Sequence, residues 1–156
     1  CRLLARAAGA QGMAGGQAID LASVGKPLIE TELRGMHERK TGALLQASVR
    51  MGAACGSAVT PAARAALDDF GAVIGLAFQV VDDILDVTAD SAELGKTAGK
   101  DAAADKPTYV SLLGLPAAQA LADALCSQAH AALEASGLPG VERLRALAEQ
   151  VVKRRN

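Results

Sequence analysis

The stretch that decides the fold runs from Thr60 to Val87, TPAARAALDDFGAVIGLAFQVVDDILDV. Thr60 is a good N-cap, and Pro61 takes the first helical position, where its missing N–H costs nothing. Apolar residues then recur at Phe70, Ile74, Phe78 and Val81, a spacing of three to four that fits a helix. Apolar neighbours on both sides of the acidic residues, Phe78-Gln79-Val80-Val81 and Ile84-Leu85, predict a largely buried helix.

The rest of the chain points to the same class. Hydrophobic residues make up 51 % of the 156 residues and aromatics only 2 %, so the core must be built from Ala, Leu and Val. Such small and straight-chain residues favour helix over strand and let helices approach closely. Upstream, a helix is expected from Arg2 to about Val24, although Gly9, Gly12, Gly15 and Gly16 fall within it. Each glycine costs a helix interior roughly 1 kcal/mol, so the group needs a reason, such as close approach of another helix or a ligand. A second helix is expected from Ile29 to Ala54. Downstream, helices are expected over Thr108–Leu113, Pro116–Ala135 and Val141–Lys153, with a turn at Gly137-Leu138-Pro139-Gly140. No strand pattern, repeat or long linker is visible, and a single all-α domain follows.

Chemistry concentrates on the third helix. Spacing of three and four residues predicts that Asp82, Asp83 and Asp86 share one face, with Gln79 one turn earlier. Three carboxylates there repel one another and lie toward the negative end of the helix dipole. A divalent cation would reward the arrangement, and oxygen ligands in partial supply suit magnesium shared with phosphate oxygens. Asp68 and Asp69 lack a partner one turn away and are read as solvent-facing. The polar segment Ala89–Pro107 is a loop carrying Lys96, Lys100 and Lys106 among glycines, suited to closing over a diphosphate. Lys40-Thr41, followed by Gly42, puts a lysine and a hydroxyl next to a glycine, where they could reach a phosphate and offer a carbonyl beside it. Read alone, that pair and those lysines fit ordinary solvated surface better than a site.

Other classes are disfavoured. A net charge of −1 offers no basic field for nucleic acid. Cys1, Cys55 and Cys126 form no CxxC pair, and His37 and His130 stand alone, so thiols in a reduced cytoplasmic compartment are expected and a zinc site is not. The apolar stretch Phe70–Val81 contains Gln79 and is too short to span a bilayer. The chain opens on Cys1-Arg2-Leu3-Leu4, with neither an initiating Met nor a signal-peptide cleavage pattern, and is expected to continue a longer polypeptide.

In order and spacing these segments resemble the trans-prenyl diphosphate synthases, in the manner of bacterial farnesyl or geranylgeranyl diphosphate synthases. The matching stretches are Gly12-Met13-Ala14-Gly15-Gly16-Gln17 with Asp20, His37-Glu38-Arg39-Lys40-Thr41-Gly42-Ala43-Leu44, Phe78 to Asp86, Leu94-Gly95-Lys96-Thr97 and Lys106-Pro107-Thr108-Tyr109. The resemblance implies a helical bundle around a cavity, of the isoprenoid-synthase type. It implies a prenyltransferase condensing isopentenyl diphosphate with an allylic diphosphate, assisted by Mg2+. Asp82 would hold the metal, supported by Asp83 and Asp86. Lys40 and Lys96 would contact the allylic diphosphate, with Lys106 nearby, and Thr41 and Gln79 would stabilise the allylic cation. Phe78 would line the pocket, and Gln17 and Asp20 would form a polar pair on the facing helix. Homodimerisation is the family habit.

That family also uses a first aspartate-rich motif and an upstream basic site for isopentenyl diphosphate. Neither has a counterpart in these 156 residues, which match the C-terminal half of a single synthase domain and are expected to be inactive alone. The alternatives are a non-catalytic partner subunit of a heteromeric synthase and a terpene cyclase of the same fold.

Overall fold

The computed structural model describes residues 1–56, 59–88 and 106–154, and every regular element among them is helical. Helix α1 spans Arg2–Ala8, α2 Met13–Ala22 and α3 Glu30–His37. A π-helical turn, Glu38–Gly42, leads into α4, Ala43–Cys55. Helix α5 is Pro61–Thr88, and after the return of the chain α6 is Tyr109–Leu113, α7 Leu115–Ala135 and α8 Glu142–Lys153.

Helix α5 is the central rod, packed against α4, α7, α8 and the π turn. Its start follows the sequence: the Thr60 hydroxyl accepts the Ala63 N–H at 3.1 Å. Two apolar clusters share it. Leu76, Ala77, Val80 and Val81 meet Leu33 and Met36 of α3, Tyr109, and Ala118, Ala122 and Leu125 of α7. One to two turns earlier, Leu67, Phe70 and Ile74 meet Ala129, Leu133 and Ala148. The α7 residues recur every three or four positions, so a seam of three alanines and two leucines forms its buried side, the alanines favouring close packing. Full burial of a side chain such as Phe70, 1 % exposed, contributes about 2–3 kcal/mol. Among the described residues no helix is long and apolar enough to cross a membrane.

Two boundaries differ from the sequence reading. The helix expected over Arg2–Val24 is broken between Ala8 and Met13. Gly9 is extended there, with ψ −165°, and a Cβ on Gly12 would overlap the Ala7 backbone. The glycines allow the second helix to fold back, which a continuous helix could not do. The helix expected over Ile29–Ala54 runs without a break in helical residues but contains the π turn. The turn between α7 and α8 is as expected, with Gly137 and Gly140 at positive φ, 60° and 74°.

Candidate functional site

The site grows from the π turn. A π turn inserts one residue into a helix and shifts the side chains around it. Here glycines on two neighbouring helices receive the shifted backbone. A Cβ on Gly16 of α2 would overlap the Lys40 backbone, and one on Gly75 of α5 would lie 2.6 Å from Gly42 Cα. Gly16 thus has the reason that sequence alone left open, the close approach of another helical segment.

Lys40 and Thr41 consequently reach different partners. Lys40 Nζ donates to Asp20 Oδ2 at 2.7 Å. The Thr41 hydroxyl donates to Gln79 Oε1. Lys106 Nζ approaches the same Asp20 oxygen at 3.9 Å, so two ammonium groups share one buried carboxylate. Asp20 is 5 % exposed. Gln17, the other polar residue expected on this helix, is exposed.

The acidic turn of α5 divides into two stripes. Gln79 and Asp83, four residues apart, are both buried. Asp82 and Asp86, also four apart, lie on the outer side, Asp82 exposed and Asp86 half-buried. The expected shared face holds in angle, since all three lie within an arc of about 100° with Asp86 between the other two, but burial separates Asp83 from the exposed Asp82. Adjacent helical residues point about 100° apart, and Asp83 turns inward, where its Oδ2 accepts the Tyr109 N–H at 2.7 Å. Among the described residues no three His, Cys, Asp or Glu side chains converge on a point that could hold an ion by themselves. The outer stripe still fits a hard divalent cation. It offers oxygen donors only, and a cation already rests against it, the Arg154 guanidinium at 3.1 Å from Asp82 Oδ1. Magnesium completes its shell from phosphate and water oxygens rather than from a full protein cage.

Three residues enter that sequence reasoning did not assign. Arg154 also donates to the Phe78 carbonyl at 3.0 Å and lies over the half-buried Phe78 ring, 4.0 Å from its centroid. Its clue was only its place in a basic run. Tyr109 is buried, and burial pushes its hydroxyl up to about 12. Its ring stacks on His37, centroids 5.8 Å apart. Burial, reinforced by the nearby Lys40 ammonium, lowers His37 to about 4, so its imidazole is neutral. Its Nε2 lies 3.9 Å from Asp83 Oδ2, beyond hydrogen-bond length, and the contact is not an ion pair. Lys96, expected at the diphosphate, lies outside the described residues. A cleft of about 540 Å³ between Pro27, Leu33 and Leu112 shares Lys106 with this cluster but none of the acidic residues.

Comparisons with known proteins identify the family. Residues 2–136 match the family model Polyprenyl synthetase. The "Probable farnesyl diphosphate synthase" of Bradyrhizobium diazoefficiens is 53 % identical over 158 residues, covering 99 % of this chain and 46 % of that protein. The farnesyl diphosphate synthase of Haemophilus influenzae is 44 % identical, covering 99 % and 52 %. A crystal structure of geranyltransferase from Helicobacter pylori, complexed with magnesium and isoprenyl diphosphate, superposes with a TM-score of 0.80 at 35 % identity. It covers 97 % of this chain and 49 % of that one. The chain thus spans about half the length of the curated relatives it matches. With the helical fold, the glycine-clamped turn and the acidic end of α5 all inside the matched span, the chain belongs to the polyprenyl synthetase family.

Proposed function

We propose that this chain supplies the allylic half of the site of a farnesyl- or geranylgeranyl-type diphosphate synthase. One observation carries the proposal. The π turn sends Lys40 to Asp20 and Thr41 to Gln79, and Gln79 stands one turn before the outward-facing Asp82. A basic cluster suited to a diphosphate and a polar pair suited to a developing cation are thereby joined to an acidic stripe suited to a metal.

In the proposed reaction the allylic C–O bond breaks and the diphosphate leaves with the electron pair. The double bond of isopentenyl diphosphate then forms the new C–C bond to the allylic carbon, and the resulting cation loses a proton to an oxygen of the departed diphosphate. Asp82 and Asp86 would hold Mg2+, whose charge neutralises the diphosphate oxygens when bound. Lys40 and Lys106 supply further positive charge to the leaving group. Thr41 and Gln79 present oxygen dipoles toward the cation. No side-chain nucleophile is required. Phe78 contributes an apolar wall, and Lys96 belongs to the same diphosphate set by its family match. The complete enzyme is expected to be a cytoplasmic homodimer.

Calorimetric titration with geranyl diphosphate tests the proposal. Saturable binding is expected with Mg2+ and should vanish with EDTA, while the 156 residues alone form no product with isopentenyl diphosphate. Equal or absent heat in both conditions would remove the enzyme reading and leave a partner subunit.

A further inference from the structure

We infer that Asp83 is a positioning residue. Its buried carboxylate, by accepting the Tyr109 N–H, fixes the segment that brings Lys106 to the diphosphate cluster, and it does not ligate the metal. The inference deepens the proposed function and rests on it.

Asp83 is 4 % exposed, and its Oδ2 is engaged by the Tyr109 N–H at 2.7 Å across 26 residues of sequence. The bond joins the last third of α5 to the point where the chain returns after residue 105. Tyr109 is the first residue of α6, and its own ring is 1 % exposed. Anchoring that residue therefore anchors both the backbone and a large side chain. Thr108 is extended, φ −131° and ψ 162°, and Pro107 has φ fixed by its ring. Lys106 is thus separated from the anchor by two residues of restricted geometry, and its Nζ stands 3.9 Å from Asp20 Oδ2. On the other side, Tyr109 stacks on His37, one turn before Lys40. The Asp83 acceptor thus anchors the backbone leading to Lys106, and the Tyr109 ring held with it packs on His37, beside the segment that carries Lys40. The outer stripe, Asp82 and Asp86, is the part of the acidic turn that solvent and a cation can reach.

An asparagine separates the two roles. Its side-chain oxygen can still accept the Tyr109 N–H, but it brings no charge to a metal. Asp83→Asn, Asp83→Ala and Asp82→Asn would be compared in the complete enzyme. The readouts are Mn2+ affinity with the metal alone, KM for geranyl diphosphate, kcat, and amide hydrogen exchange at Tyr109. Asp83→Asn is expected to keep Mn2+ affinity and KM within about twofold, with Tyr109 protected. Asp83→Ala should lose that protection and raise KM about tenfold, with a smaller change in kcat. Asp82→Asn should lose Mn2+ affinity.

If Asp83→Asn weakens Mn2+ as much as Asp82→Asn while Tyr109 stays protected, Asp83 is a ligand and the inference is wrong. An Asp83→Ala enzyme with unchanged KM and Tyr109 exchange would also overturn it. Should Asp83→Ala fail to fold, the Mn2+ affinity and KM of Asp83→Asn decide alone. Unaltered metal and geranyl diphosphate binding in Asp82→Asn would instead sink the proposed function, and Tyr109 exchange would still report whether Asp83 is the anchor.

Discussion

Helix α5 carries two pairs of adjacent aspartates, and they behave differently. At one end Asp68 meets Arg50 at 2.6 Å and Asp69 is exposed. At the other, Asp82 meets Arg154 while Asp83 is buried against Tyr109. Each pair sends one carboxylate to an arginine, so an arginine contact does not distinguish them. The difference lies in what the second carboxylate does and in what surrounds it. Asp69 faces solvent, whereas Asp83 shares its buried stripe with Gln79, which connects through Thr41 to Lys40, Asp20 and Lys106. Adjacent acids become a candidate site when neighbouring elements deliver complementary groups to them.

The largest test of that contrast removes the outward carboxylate at each end. Asp82→Ala in the complete enzyme is expected to lower kcat/KM by a hundredfold or more, on the order of the loss when one group stabilising a transition-state charge is removed. Asp68→Ala should leave it within about twofold. Steady-state rates for both variants check this, and similar losses would dissolve the distinction.

A second test acts on the buried side through pH. An unfolded chain protonates His37 below its ordinary value of 6.5, whereas the fold resists until about 4. More protons are then bound unfolded than folded, so stability is level above pH 6.5 and falls as pH drops toward 4. The whole window amounts to about 3 kcal/mol. His37→Phe should flatten that slope in urea denaturation series run from pH 7.5 to 4, and an unchanged slope would place the acid sensitivity elsewhere. The smallest effect belongs to Asp68→Ala, whose partners are more than one-third exposed. Thermal unfolding should show a loss under about 1 kcal/mol.

Much of the fold was legible because it is local. Thr60 and Pro61 mark the start of α5, and the alanines of α7 repeat at helical spacing. The division at Gly9–Gly12 was not, since glycine in a helix predicts a cost but not which tertiary contact repays it. The site divides likewise. Lys40, Thr41, Gln79 and Asp20 were named from motifs and are joined by hydrogen bonds in the fold. The orientation of Asp83 depends on an N–H 26 residues away, and the Arg154 contact spans 72. No spacing rule within α5 contains either fact. Asp68 was read as simply solvent-facing, yet it is tied to α4 by Arg50, a partner invisible to a helix-face argument.

The glycine contacts at the π turn bear on how the proposed chemistry would cost energy. Polar groups that must swing to meet a new charge spend part of the attraction on their own rearrangement. Lys40 and Gly42 are pressed backbone to backbone against Gly16 and Gly75, with no intervening side chain to compress or rotate. Thr41, between them, carries its dipole on a peptide wedged from two sides. A cation forming beside it would meet a solvent that is already frozen in orientation, and this small reorganisation energy is what liquid water cannot offer.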